Sequence, residues 1–146
     1  MNKLFFIVSL VFLLGNTMTA QEWQLDFDKA KTIASQENKT IVLVFQGSDW
    51  CAPCIKLDKE VWSTEVFKKH AVKNYVMLQA DFPRKIKNGL TKEQVAANAM
   101  LADQYNPQGI FPFVVVMDAT GKVLGKETYK KVGPQGFVKI IDGFKG

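Results

Sequence analysis

Apolar residues change rhythm several times along this chain, and each change marks an element. Between Leu25 and Asn38, Phe27, Ala30, Ile33 and Ala34 recur at the helical period, with Asp26 placed to cap the first turn. The rhythm then collapses into the unbroken run Ile41-Val42-Leu43-Val44-Phe45. Five apolar residues rich in β-branched types, bounded by polar ones, predict a strand buried on both faces, as in the middle of a parallel sheet. From Cys51 to Trp62 the spacing is helical again, with Cys54, Leu57 and Val61 on one side. A second helix, opened by Ser63 or Thr64, is expected to reach about Lys73. Tyr75 to Ala80 predicts a strand that ends at Asp81, because Pro83 cannot donate to a ladder and restrains Phe82 before it.

Beyond the basic loop Arg84 to Gly89, Thr91 and Gln94 have the spacing of a capping box. The helix it opens is expected to bury Val95, Ala99, Ala102 and Tyr105 and to end at Asn106-Pro107. Phe113 to Met117 is the third apolar run, and the turn residues Asp118 to Gly121 join it to a more polar strand, Lys122 to Tyr129. Pro134 then opens a last helix with Phe137, Ile140, Ile141 and Phe144 on one face. This order predicts an α/β fold, a mixed central sheet flanked by helices on both faces.

The first twenty residues follow another logic. Lys3 precedes the apolar stretch Leu4 to Leu14, and small or polar residues lead to Ala20. That is the layout of a secretory signal peptide, with residues 1–20 removed and 21–146 forming one domain. The 11 apolar-run residues fall short of the roughly 20 that a membrane span needs, so no stable span is expected after cleavage. The expected location is the periplasm or the extracellular medium. Loss of the leader removes Lys3 and leaves 18 basic against 14 acidic side chains, a net charge of +4. The lysines are scattered without interleaved aromatics, which argues against a nucleic-acid partner.

Only two cysteines are present, three positions apart, in Ser48-Asp49-Trp50-Cys51-Ala52-Pro53-Cys54. The unpaired N–H groups and partial positive charge of a helix start stabilise a thiolate at Cys51. Cys54, one turn further, can attack a mixed disulfide formed there and release the partner. Pro53 is tolerated in the first turn. As a structural staple so short a loop would contribute only about 2 kcal/mol, against ~3 for a loop of roughly 15 residues. A zinc site needs four ligands, and His70 is the sole histidine, expected as a surface residue without partners. Haem attachment would need histidine where Ile55 stands. Lys56 favours the thiolate and Asp49 opposes it, while Trp50 either shields it and contacts the partner or packs in the core.

The segment Phe45 to Cys54, with Trp-Cys-X-Pro-Cys inside it, resembles the active-site signature of the thioredoxin family. Gly109-Ile110-Phe111-Pro112 is similar to that family's cis-proline loop, and Asp118 to Lys122 and Lys131-Val132-Gly133 fit as well. The resemblance covers most of residues 21–146. It implies the thioredoxin fold, with Cys51 as nucleophile, Cys54 as resolving thiol, and a cis Pro112 beside them whose neighbouring backbone pairs with substrate. Its implied activity is thiol-disulfide exchange with protein thiols and disulfides, as a reductant fed by an upstream thiol-disulfide donor. No cofactor is implied beyond the Cys51–Cys54 disulfide. Three departures point to the secreted bacterial branch. Phe45 replaces a buried acid, leaving Glu60 and Lys56 as candidates for proton transfer; Phe113 follows Pro112 where a small polar residue is common; Arg84 to Gly89 resembles an inserted loop. The alternatives are an oxidant or isomerase of the same fold, or a non-catalytic binding module.

Overall fold

The computed structural model describes residues 21–146, so the expected signal peptide lies outside the described residues. Five strands form one sheet in the order β1-β3-β2-β4-β5: β1 (Trp23–Gln24), β2 (Thr40–Gln46), β3 (Tyr75–Asp81), β4 (Phe113–Met117) and β5 (Val123–Glu127). β2 runs parallel to β3 and antiparallel to β4, with β1 parallel to β3 and β5 antiparallel to β4. The mixed sheet expected from the pattern is therefore present. β1 was outside that expectation, since two residues are too few to establish a period.

Alternation along β2 explains why its five apolar residues are all needed. Ile41, Leu43 and Phe45 face a cluster closed by α1 (Phe27–Glu37) and by α4 (Lys92–Tyr105) through Leu101 and Tyr105. Val42 and Val44 face the opposite cluster, closed by α2 (Ala52–Leu57), α3 (Glu65–Asn74) and α5 (Gly133–Gly143). No residue of the run is more than 1% exposed. At ~1.5–3 kcal/mol for each fully buried aliphatic or aromatic side chain, the strand anchors both layers.

Several local expectations hold, and others are corrected. Asp26 accepts from the Lys29 N–H at 3.0 Å and caps α1, and Thr64 rather than Ser63 caps α3 through the Phe67 N–H. The helix expected from Cys51 to Trp62 is α2 followed by a π-helical turn, Asp58–Trp62. In α4 the buried face differs from the one the apolar spacing suggested. Val95 is 54% exposed and Ala99 is exposed, whereas Asn98 is buried. The reason is a polar network: the Asn98 side chain donates to the Asp81 carbonyl at 2.8 Å and accepts from Gln94 Nε2 at 2.9 Å. Gln94 also donates to the Leu25 carbonyl instead of closing the reciprocal half of the capping box. His70 is corrected too: its Nε2 lies 3.0 Å from an Asp142 carboxylate oxygen, and its ring meets Tyr75 edge-on.

Candidate active site

The site lies past the C-terminal ends of the parallel strands β2 and β3, where open α/β sheets leave a crevice. β2 ends at Gln46, and the Gly47 carbonyl then accepts from the N–H groups of Trp50 and Cys51 at 3.2 and 2.9 Å. That tight turn starts α2 with Cys51 as its N-cap. The Cys54 N–H donates to Cys51 Sγ at 3.3 Å, so an otherwise unpartnered helix-start N–H is aimed at the sulfur. The two cysteines form a disulfide with a Cα–Cα distance of 5.2 Å, and they are 4% and 3% exposed. Pro53 lies in the first turn of α2, where its missing N–H costs nothing.

Register brings the proline loop to the same place. β4 pairs antiparallel with β2 and Phe45 faces Phe113, so Pro112 sits where the turn to Cys51 begins. The Phe111-Pro112 peptide is cis. The Asn106 side chain holds this loop by accepting from the Ile110 N–H and donating to the Ile110 carbonyl, both at 2.9 Å.

Trp50 belongs to an aromatic group on this rim. Its indole N–H donates to the Phe82 carbonyl at 2.7 Å, and its ring meets Phe111 edge-on at 5.5 Å between centroids. Phe82 also meets Phe111 edge-on at 5.5 Å, and the Arg84 guanidinium lies over the indole at 3.8 Å. Gly47 lies beneath: a Cβ there would fall 2.2 Å from Trp50 Cε2. The contacts of Phe82, Arg84 and Gly47 with Trp50 are not legible in the sequence, because nothing in the order of residues says that position 82 folds back against position 50.

Asp49 does not contact the sulfurs. Its carboxylate accepts from the backbone N–H groups of Arg84 and Lys85, each at 2.9 Å, and from Asn88 Nδ2 at 3.0 Å. The bond from the Arg84 N–H, then that from Asn88, bring its pKa down to about 2. Asp81, one strand end away, accepts from the Ser48 N–H and hydroxyl at 2.9 and 2.6 Å. Two carboxylates thus tie the turn before Cys51 to the loop after β3.

Lys56 and Glu60 form a separate group with Tyr129. The Tyr129 hydroxyl donates to Glu60 at 2.8 Å, Lys56 Nζ is 3.9 Å from the same carboxylate, and no hydrogen bond joins either to a cysteine among the described residues. Phe45, at the place of the family's acid, is fully buried and packs against Phe113 at 6.4 Å. Also among the described residues, no group of three His, Cys, Asp or Glu side chains is placed to hold a metal ion.

A disulfide closed over the first turn of a helix, with a cis-proline loop at the same sheet end, is the arrangement of a thioredoxin-fold thiol-disulfide oxidoreductase. A family model described as thioredoxin-like matches residues 22–119, and the chain belongs to that family. Among curated proteins it is similar to the disulfide bond reductase DsbH of Chlamydia pneumoniae, 35% identical over 82% of this chain and 70% of that protein. A solved structure titled DsbH Oxidoreductase superposes with a TM-score of 0.77 at 32% identity, covering 84% of this chain and 83% of its own. A thioredoxin from Thermus thermophilus superposes at 0.61 with 15% identity, covering 84% and 85%, a likeness of fold alone.

Proposed function

We propose that the chain is an exported reductant of protein disulfides, with Cys51 as the attacking sulfur and Cys54 as the resolving one. The observation that carries this reading is the Cys54 N–H directed at Cys51 Sγ on the first turn of α2. A donor so placed, together with the partial charge of the helix start, favours thiolate over thiol once the disulfide is opened. The thiolate of Cys51 attacks one sulfur of a substrate disulfide, forming a mixed disulfide and releasing one substrate thiolate, which takes up a proton. Cys54 then gives up its proton and attacks Cys51 Sγ. This restores the Cys51–Cys54 bond, releases the second substrate thiolate, and leaves two electrons with the substrate. An upstream dithiol returns the pair to the reduced form.

The direction is supported by the similarity to a protein named as a reductase. Export is supported by the apolar stretch between Lys3 and Ala20, with residues 21–146 as the mature domain. Trp50, Pro53, Phe111 and Pro112 form the wall a substrate segment crosses, the backbone beside Pro112 being the part that pairs with it.

The test is insulin reduction driven by dithiothreitol. Cys51→Ser is expected to abolish turnover and Cys54→Ser to accumulate mixed disulfides; variants that both match the wild type sink the assignment. Equilibration with glutathione buffers decides direction. A potential near about −270 mV fits a reductant, and one near about −120 mV would make the protein an oxidant.

A further inference from the structure

The loop Arg84 to Gly89 is built with more care than a solvent connection requires. Three hydrogen bonds to Asp49 fix it, a 3-10 turn, Ile86–Asn88, shapes it, and the Arg84 guanidinium lies over the indole next to Cys51. At its tip Ile86 is 99% exposed. Apolar side chains this exposed are ordinarily isolated accidents of a surface. Here, however, the side chain is held two residues past the guanidinium that covers Trp50. Arg84, Lys85 and Lys87 lie beside it in the sequence, and none of the three forms an ion pair among the described residues. Asp49 accepts from two backbone N–H groups of the loop and from the Asn88 side chain, and Arg84, Lys85 and Lys87 remain exposed.

We propose that this loop is the docking arm for the substrate protein, and that it selects disulfides whose flanking segment carries carboxylates around an apolar side chain. The inference rests on the oxidoreductase reading and deepens it. A partner that brings a disulfide onto Cys51 must pass the Trp50 rim, where the Arg84 guanidinium lies over the indole and forms no side-chain hydrogen bond or ion pair among the described residues. That group suits a carboxylate, which a planar guanidinium can bind through two N–H groups at once. Lys85 and Lys87 add charges that attract an acidic segment during encounter, while Ile86, between them in sequence, supplies an apolar contact. The net charge of +4 on residues 21–146 acts in the same direction at longer range. A phosphate-bearing membrane surface would also take a basic loop with an apolar tip. The position beside the disulfide favours a protein partner.

The experiment compares two oxidised peptides that differ only in the residues flanking the disulfide, Asp-Leu-Asp in one and Lys-Leu-Lys in the other. Turnover of the residue 21–146 protein is fed by dithiothreitol. The acidic peptide is expected to show kcat/KM roughly tenfold higher at low salt, and the preference should fall to within about twofold near 1 M salt, where screening acts over about 3 Å. Lys85→Glu with Lys87→Glu should invert it, and Ile86→Ser should weaken turnover of both peptides. Lys69→Glu with Lys73→Glu, the same charge change on the exposed side of α3, should leave the preference intact. Equal kcat/KM for the two peptides in the wild type overturns the proposal, as does an equal shift in the α3 variant. Ile86-dependent binding to vesicles of anionic phospholipid, without peptide preference, reassigns the loop to a membrane. Failure to turn over either peptide refutes the oxidoreductase reading rather than the docking arm.

Discussion

Gly47→Ala is the most informative single substitution near the disulfide. The added methyl would fall 2.2 Å from Trp50 Cε2 and 2.5 Å from its Cζ2 and Nε1, so the indole must leave its place. Three contacts go with it. The hydrogen bond to the Phe82 carbonyl is worth about 1 kcal/mol. The edge-on contact with Phe111 contributes ~0.5–1.5 kcal/mol. The Arg84 stack adds ~0.5–1 kcal/mol. The expected loss of stability is therefore about 2–3.5 kcal/mol, or roughly 6–14 °C in Tm for a domain of this size. Urea unfolding of the oxidised protein measures it, and the Trp50 indole N–H resonance should move as its partner is lost. The decisive control is a double-mutant cycle with Trp50→Ala, which empties the space above position 47. In that background Gly47→Ala should be almost neutral, with a coupling of about 2 kcal/mol. If alanine at 47 costs the same with and without the indole, the packing argument is refuted.

Further outcomes can be checked in the same preparations. Phe45→Leu should cost under about 1.5 kcal/mol, whereas Phe45→Asp should cost more than about 4 kcal/mol, because it removes a buried ring and leaves a carboxyl among apolar groups. A folded, faster Asp variant would contradict this. The Asp49 carboxylate is held near a pKa of about 2, below its unfolded value. Its grip on the loop is thus complete above roughly pH 4 and is lost as pH falls through about 2. The amide resonances of Arg84 and Lys85 should titrate in that range, and Asp49→Asn should remove the transition. All three tyrosines are raised above the ordinary value: Tyr75 and Tyr105 chiefly by burial, Tyr129 chiefly by its bond to Glu60. Absorbance at 295 nm should therefore show little phenolate at pH 10 in the native protein. Stability should decline as pH climbs above the unfolded tyrosine value of about 10, and a full phenolate signal before unfolding would rule this out.

The acidic groups around the site have distinct work, and chemical type alone did not separate them. Asp49 stands two residues before Cys51, which suggests an influence on the thiolate, but its bonds run to residues 84–88. Glu60 shares a helical stretch with Cys54, yet its oxygen accepts from Tyr129. His70 looked solitary because its partner, Asp142, is distant in sequence, on α5. There Asp142 is held below the ordinary carboxylate range. Burial pushes it up, but hydrogen bonds from Tyr75 and Lys145 and the nearby positive charge outweigh that.

By itself the sequence determined the elements whose causes are local. A five-residue apolar run makes a doubly buried strand because alternate side chains must all find cover. Asp26 and Thr64 cap their helices through bonds spanning three residues. Two cysteines three apart share one helical turn for the same reason of proximity. Only the tertiary structure decided what depends on contacts between distant segments: the buried Asn98 of α4, the Phe82 carbonyl under the Trp50 indole, and the Asp49 clamp on the loop. Periodicity reports which side of an element is apolar. It cannot report which distant polar atom needs a partner, and that need buried Asn98 while leaving Val95 in water.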